Sequence, residues 1–262
     1  MPRILHLSDI HFGRERPALA RHLLAQAAEM VPDLIAISGD LTQRARRHQL
    51  AAARAFVDAL PAPVLVVPGN HDIPGISIRR LLDPWRRWRS DFFAETEPTF
   101  RGAGMTVLGA NSVRIGGPYL DWSRGKLKPA QIDALAAKFS AASADDLRVL
   151  VMHHPLLLTE AARHRGLVGS AAQALQRLAA VGLDLALGGH VHLPYAASEA
   201  GVVIAHAGTG ISDRLVGAPN GFNLINADRH FIEVEQWTAR SGRFEPEQQQ
   251  RFPRRRVNVD KA

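Results

Sequence analysis

At 262 residues the chain is long enough for one sizeable core, and no apolar stretch approaches the roughly 18–20 residues of a membrane-spanning helix. There is no cysteine, which excludes disulfides, thiolate metal sites and cysteine nucleophiles together, so any metal must be held by oxygen and nitrogen. The net charge of +7 is scattered apart from short arginine clusters at 44/46/47, 79/80, 86/87/89 and 254–256, a distribution that fits a solvated surface better than a nucleic-acid interface.

Residues 3–8 read as a buried strand that runs straight into a polar patch, too short an apolar run for a signal peptide, and the expectation is a cytoplasmic protein. A helix over 17–30, a strand over 33–38, a helix over 46–60 and a strand over 62–67 follow, an alternation that implies parallel crossovers. The amphipathic segment 76–95 predicts a single helix. Its Trp85, Trp88, Phe92 and Phe93 read as core packing, with a lid or a homodimer face as the alternatives. Next come a strand over 105–110, a helix over 129–141, a strand over 147–152, a helix over 170–181 and a strand over 184–187. Beyond Gly189 the pattern turns to short β segments at 202–207, 222–226 and 230–237, with Ala227-Asp228-Arg229 as a hairpin turn. The result is an α/β fold with two packed sheets and helices outside. One domain is expected over 1–240, and the Gln-, Arg- and Pro-rich stretch 241–262 reads as a loosely ordered tail.

Five polar patches stand where apolar strands end: Asp9-Ile10-His11, Gly39-Asp40, Gly69-Asn70-His71-Asp72, His153-His154-Pro155 and Gly189-His190-Val191-His192. Carboxylate, imidazole and amide oxygen are donors that suit divalent metals. In Asp9/His11 and His190/His192 the donors lie two apart, so both can turn to one point at a fraying strand end. Glycine before Asp40 permits a carboxylate to enter a crevice, where it could bridge two cations. Of His153 and His154, one reads as a ligand and the other as structural. His6, His22, His48, His164 and His230 read as core-edge or surface groups, and His206 sits in an apolar strand.

The order DxH, GD, GNHD, H, GHxH over about residues 3–210 resembles the calcineurin-like metallophosphoesterase superfamily. That resemblance implies a four-layer αββα sandwich of two mixed β-sheets flanked by helices, with two divalent metals in its loops. Asp9, His11 and His192 would bind one metal, Asn70, His153 and His190 the other, and Asp40 would bridge them. His153 is preferred over His154 because the family places proline two residues after its ligand. His71 would be a catalytic residue beside the phosphate, binding substrate together with Asn70. Two such cations lower the pKa of water between them, so that a bridging hydroxide attacks phosphorus, and Mn or Fe suits the donor set best, with Zn as a third choice.

The Leu7–Gly13 opening and the Gly39–Gln43 segment look most similar to the bacterial branch containing cyclic-nucleotide phosphodiesterases. Gln43 stands where the phosphoprotein-phosphatase branch has an acid, and His71 where the branch hydrolysing UDP-2,3-diacylglucosamine carries arginine. The expected partner is therefore a small phosphoester. A phosphomonoesterase, or a pyrophosphatase of the UDP-2,3-diacylglucosamine type, is the alternative activity. A non-enzymatic scaffold and a nucleic-acid binder are disfavoured.

Overall fold

A computed structural model describes residues 1–75, 78–116 and 123–255, with Arg79 as backbone only. Its strands form two six-stranded sheets. In the first, β1 (Arg3–Leu7), β2 (Leu34–Ile37) and β3 (Val64–Val66) run parallel, and β10 (Gly221–Ala227), β11 (Phe231–Arg240) and β12 (Arg243–Pro253) extend it as an antiparallel meander beside β1. In the second, β5 (Met105–Ala110), β6 (Leu147–Met152), β7 (Leu185–Gly188) and β9 (Val202–His206) are parallel, with β4 (Thr99–Gly102) and β8 (Tyr195–Glu199) antiparallel at the edges.

Alternation along each strand divides the core. Ile4, Leu34, Ala36 and Leu65 of the first sheet pack against Val107, Val149, Leu187 and Val203 of the second. Leu5, Leu7, Ile35 and Ile37 face the other way, onto α1 (Pro17–Met30) and α2 (Arg47–Asp58). Leu108, Leu150, Ala186 and Ile204 likewise meet α5 (Pro129–Ser140) and α6 (Ala171–Ala180). This is the helix–sheet–sheet–helix sandwich, and each fully buried Leu, Ile or Val contributes about 1.5–3 kcal/mol. No helix among the described residues is long and apolar enough to cross a membrane.

Three sequence expectations need correction. The 76–95 segment is not one helix, because Pro84 cannot continue the hydrogen-bond ladder: α3 (Ile78–Leu82) ends before it and α4 (Arg86–Asp91) begins after it, while residues 76 and 77 lie outside the described residues. Trp88 of α4 is fully buried, donates from its indole nitrogen to the Glu95 carbonyl at 2.9 Å, and packs with Phe92, Phe93 and Trp85 into the core under α2. Second, of the stretch 241–262 expected as a loose tail, residues 243–253 form an edge strand paired along β11, with a bulge at Gln236/Trp237, and 256–262 lie outside the described residues. Its Arg, Glu and Gln side chains and its two prolines are the composition that a sheet edge tolerates and a core strand does not. Third, His6 is fully buried, where Ser38 Oγ (2.9 Å) and Asn223 Nδ2 (3.2 Å) bond its two nitrogens and burial lowers its pKa to about 3.

Candidate metal centre

Parallel strands of both sheets deliver their C-terminal ends to one rim, so each polar patch emerges beside the others. Asp9 and His11 follow β1, Asp40 follows β2, Asn70 and His71 follow β3, His153 follows β6, and His190 and His192 follow β7. The backbone turns sharply there. Asp9, His11, Asp40, His190 and His192 all have positive φ, between 50° and 71°. Such conformations cost of order 1–3 kcal/mol each for residues with a Cβ, and they persist where surrounding bonds over-determine them.

Those bonds are visible. The amides of Asp9 and His11 donate to the carbonyls of Gly39 (3.1 Å) and Asp40 (2.9 Å), tying the first two loops together. Asp72 ties the third: its carboxylate accepts from the amides of Leu41 (3.1 Å), Thr42 (2.8 Å) and Gly69 (2.9 Å). Burial and the nearby Asp40 charge push the Asp72 pKa up to about 6 despite these donors. The GHxH loop crosses so closely over the DxH loop that a Cβ on Gly189 would overlap Ser8 Oγ and Asp9 Oδ2, and one on Gly69 would overlap Asp40. Only glycine fits these two crossings.

The seven candidate ligands converge. Donor atoms of Asp9, His11, Asp40 and His192 lie within 4.8 Å of one another. Asn70 Oδ1 lies 3.1 Å from His153 Nε2 and 3.1 Å from His190 Nδ1, forming a second cluster. Asp40 joins them, because its Oδ1 accepts from the His71 amide at 2.8 Å while its Oδ2 faces His153 Nε2 at 3.3 Å and His11 Nε2 at 3.8 Å.

Second partners set which atoms remain for a metal. His153 Nδ1 donates to the Ser38 carbonyl (2.8 Å) and His192 Nδ1 to the Arg214 carbonyl (2.7 Å), which leaves both Nε2 lone pairs pointing inward. Ser8 Oγ and the His190 amide occupy Asp9 Oδ2, at 2.7 and 3.0 Å. Asp9 Oδ1 is then a buried carboxylate oxygen without a hydrogen-bond partner among the described residues, 3.1 Å from His192 Nε2. Imidazole nitrogens, carboxylate oxygens and an amide oxygen gathered within about hydrogen-bond distance of one another are the mixed nitrogen and oxygen donor set that a divalent cation takes, and a cation can replace the protons these imidazoles hold. The residues present therefore fit a pair of divalent metals.

His153, His154 and His190 also lie close enough to share an ion. His154 is already committed, however: its Nε2 donates to the Ser123 carbonyl (2.7 Å) and its Nδ1 bonds Ser112 Oγ (2.8 Å). Burial and the neighbouring His153 lower its pKa to about 3, so it stays neutral and structural. At Asp40, burial opposes ionisation, but the imidazoles of His153, His71 and His11 hold the carboxyl well below the usual range. At His153, burial favours the neutral ring, yet Asp40's charge and contact raise the pKa to about 9.

His71 stands at the rim, with its Nδ1 donating to the Gln43 carbonyl at 2.8 Å. Its Nε2 meets Arg214 Nη1 at 3.0 Å, and the same guanidinium nitrogen lies 3.5 Å from His11 Nε2. Sequence reasoning missed Arg214. It lies in the Gly- and Ser-containing loop after β9, the next parallel strand of the second sheet, so the rule that strand ends carry the site would have found it.

The family model for calcineurin-like phosphoesterases matches residues 2–194, and the chain belongs to that family. Similar curated proteins are a glycerophosphodiester phosphodiesterase of Enterobacter lignolyticus, 32% identical over 80 residues (26% of this chain, 29% of the relative), and a probable cyclic nucleotide phosphodiesterase of Synechococcus sp., 30% identical over 127 residues (48% and 44%). The chain thus spans less than half the length of the curated relatives it matches. In fold it is similar to a dimetal phosphatase from Danio rerio, with a TM-score of 0.71 at 13% identity, covering 97% of this chain and 99% of that one.

Proposed function

We propose that the protein is a binuclear metal-dependent phosphodiesterase acting on small substrates such as cyclic nucleotides. The observation that carries the reading is Asp40, whose Oδ2 lies between His11 of one donor cluster and His153 of the other. Asp9, His11 and His192 would hold one cation, and Asn70, His153 and His190 the second. Mn or Fe fits these hard-to-borderline donors best, and Zn fits next. When bound, the two cations supply activated water and the charge that stabilises the attacking and leaving oxygens. The names of two of the similar curated proteins, a glycerophosphodiester phosphodiesterase and a probable cyclic nucleotide phosphodiesterase, support a diester as the substrate.

The chain's own residues do the rest. Arg214 and His71 flank the position of the phosphate, so the guanidinium can donate to its equatorial oxygens as charge builds there. The Gln43 carbonyl fixes the His71 ring with Nε2 toward the substrate. Once protonated, that nitrogen is the group placed to give a proton to the leaving oxygen. Asn70 and His71 line one cavity, where Asn70 orients the substrate beside His71.

The test is Mn²⁺-supported hydrolysis of bis(p-nitrophenyl) phosphate, p-nitrophenyl phosphate, and 2′,3′- and 3′,5′-cyclic nucleotides. Turnover of the diesters is the expected result, whereas turnover of the monoester alone overturns the diesterase reading.

A further inference from the structure

Outward from Asn70 and His71 opens a cavity of about 470 Å³ whose wall is cationic. Arg44, Arg46 and Arg80 line it together with Gln43, and no carboxylate does so among the described residues. The Arg80 guanidinium is held by the carbonyls of Pro74 (3.1 Å), Arg114 (2.9 Å) and Ile115 (2.7 Å), which makes it part of the wall. Arg44 and Arg46 differ from it, being exposed and in no ion pair among the described residues.

The loop that carries them is nevertheless fixed. Gln49 Oε1 accepts from the amides of Arg44 (2.9 Å) and Arg46 (3.4 Å), Thr42 Oγ1 accepts from the Ala45 amide (3.0 Å), and Arg87 donates to the Ala45 carbonyl (2.9 Å). Ala45 between them has a φ of 48°. Two guanidinium groups are thus presented from a pinned turn into the cavity that holds the proposed catalytic histidine. Guanidinium matches phosphate in shape and charge, and such groups raise the local concentration of anions.

The phosphate of a cyclic mononucleotide would be spent against the metal cluster, His71 and Arg214, leaving Arg44 and Arg46 to face an uncharged sugar and base. We infer that the substrate carries a second phosphoryl group besides the ester that is cleaved, as in a short linear nucleotide diester with a terminal phosphate, and that Arg44 and Arg46 receive it. The inference rests on the phosphodiesterase reading for the first phosphate and adds the second.

The experiment compares diadenylate with and without a 5′-phosphate on the Mn²⁺-loaded full chain, by kcat/KM and by calorimetric affinity, with bis(p-nitrophenyl) phosphate as the plain diester. The 5′-phosphorylated form is favoured about tenfold or more, since a charge-assisted hydrogen bond contributes roughly that factor. The preference falls toward one in the Arg44→Ala/Arg46→Ala double variant and shrinks at high salt. Equal affinity for the two forms in the unaltered protein, or a preference that the double variant keeps, overturns the inference. If no diester is hydrolysed at all but the calorimetric preference appears and is lost in the variant, the second-phosphate site stands and the diesterase reading falls.

Discussion

At the scale of single residues, the centre divides its labour between side chain and backbone, most plainly at Arg214. Its carbonyl orients His192, while its guanidinium reaches His71. Replacing the side chain removes the second contact and spares the first. Arg214→Ala is therefore expected to lower kcat/KM for a diester about 10- to 100-fold while the bound-metal content, read by elemental analysis, stays unchanged. Loss of metal in that variant would show that the side chain supports the centre itself. His153 yields a second prediction. In the metal-free protein its pKa stands at about 9, so it carries a proton at neutral pH that a cation must displace. Metal affinity then rises with pH up to about 9 and levels off above. Calorimetry in buffers of different ionisation enthalpy should record net proton release on Mn²⁺ binding at pH 7.5, and its absence would remove His153 from the ligand set.

At the scale of elements, the strands that carry motifs were legible in the sequence because each is a short apolar run halted by a polar patch. β1, β2, β3, β6 and β7 lie within a residue or two of where periodicity puts them. The missed strands, β4, β8 and β12, are sheet edges. An edge strand is half solvated and needs no apolar alternation, so composition cannot separate it from a loop. The helix over 76–95 failed for a different reason: its apolar stripe is real, but Pro84 breaks the ladder that the stripe alone would support. In the site, the ligand types were legible and the supporting contacts were not. The Ser38 carbonyl behind His153 and the Asp72 brace across two loops are contacts between strand ends that only the fold brings together. β12 gives the matching prediction. Ending the chain at residue 242 strips β11 of its partner along Phe231–Arg240 and uncovers Phe244's place on α1 and Trp237's side of the core. The melting temperature should fall by several degrees and aggregation should rise, as measured by calorimetry and light scattering. Unchanged melting would restore the view of these residues as a loose tail.

At the scale of the whole molecule, the two sheets are held together at the rim by the groups that would share the cations: Asp9, His11, Asp40 and Asn70 come from the first sheet, and His153, His190 and His192 from the second. A cation bound there binds only the folded state, so it stabilises the packing of one sheet on the other. Stripping with a chelator is expected to lower the melting temperature, and adding Mn²⁺ back to restore it in a concentration-dependent way. A melting temperature indifferent to both would mean that the centre is not loaded. Anomalous diffraction at the manganese edge from crystals soaked in Mn²⁺ would locate the cations themselves. Two peaks are expected, one among Asp9, His11 and His192 and one among Asn70, His153 and His190, with Asp40 touching both. A single peak, or one coordinated by His154, would contradict that assignment.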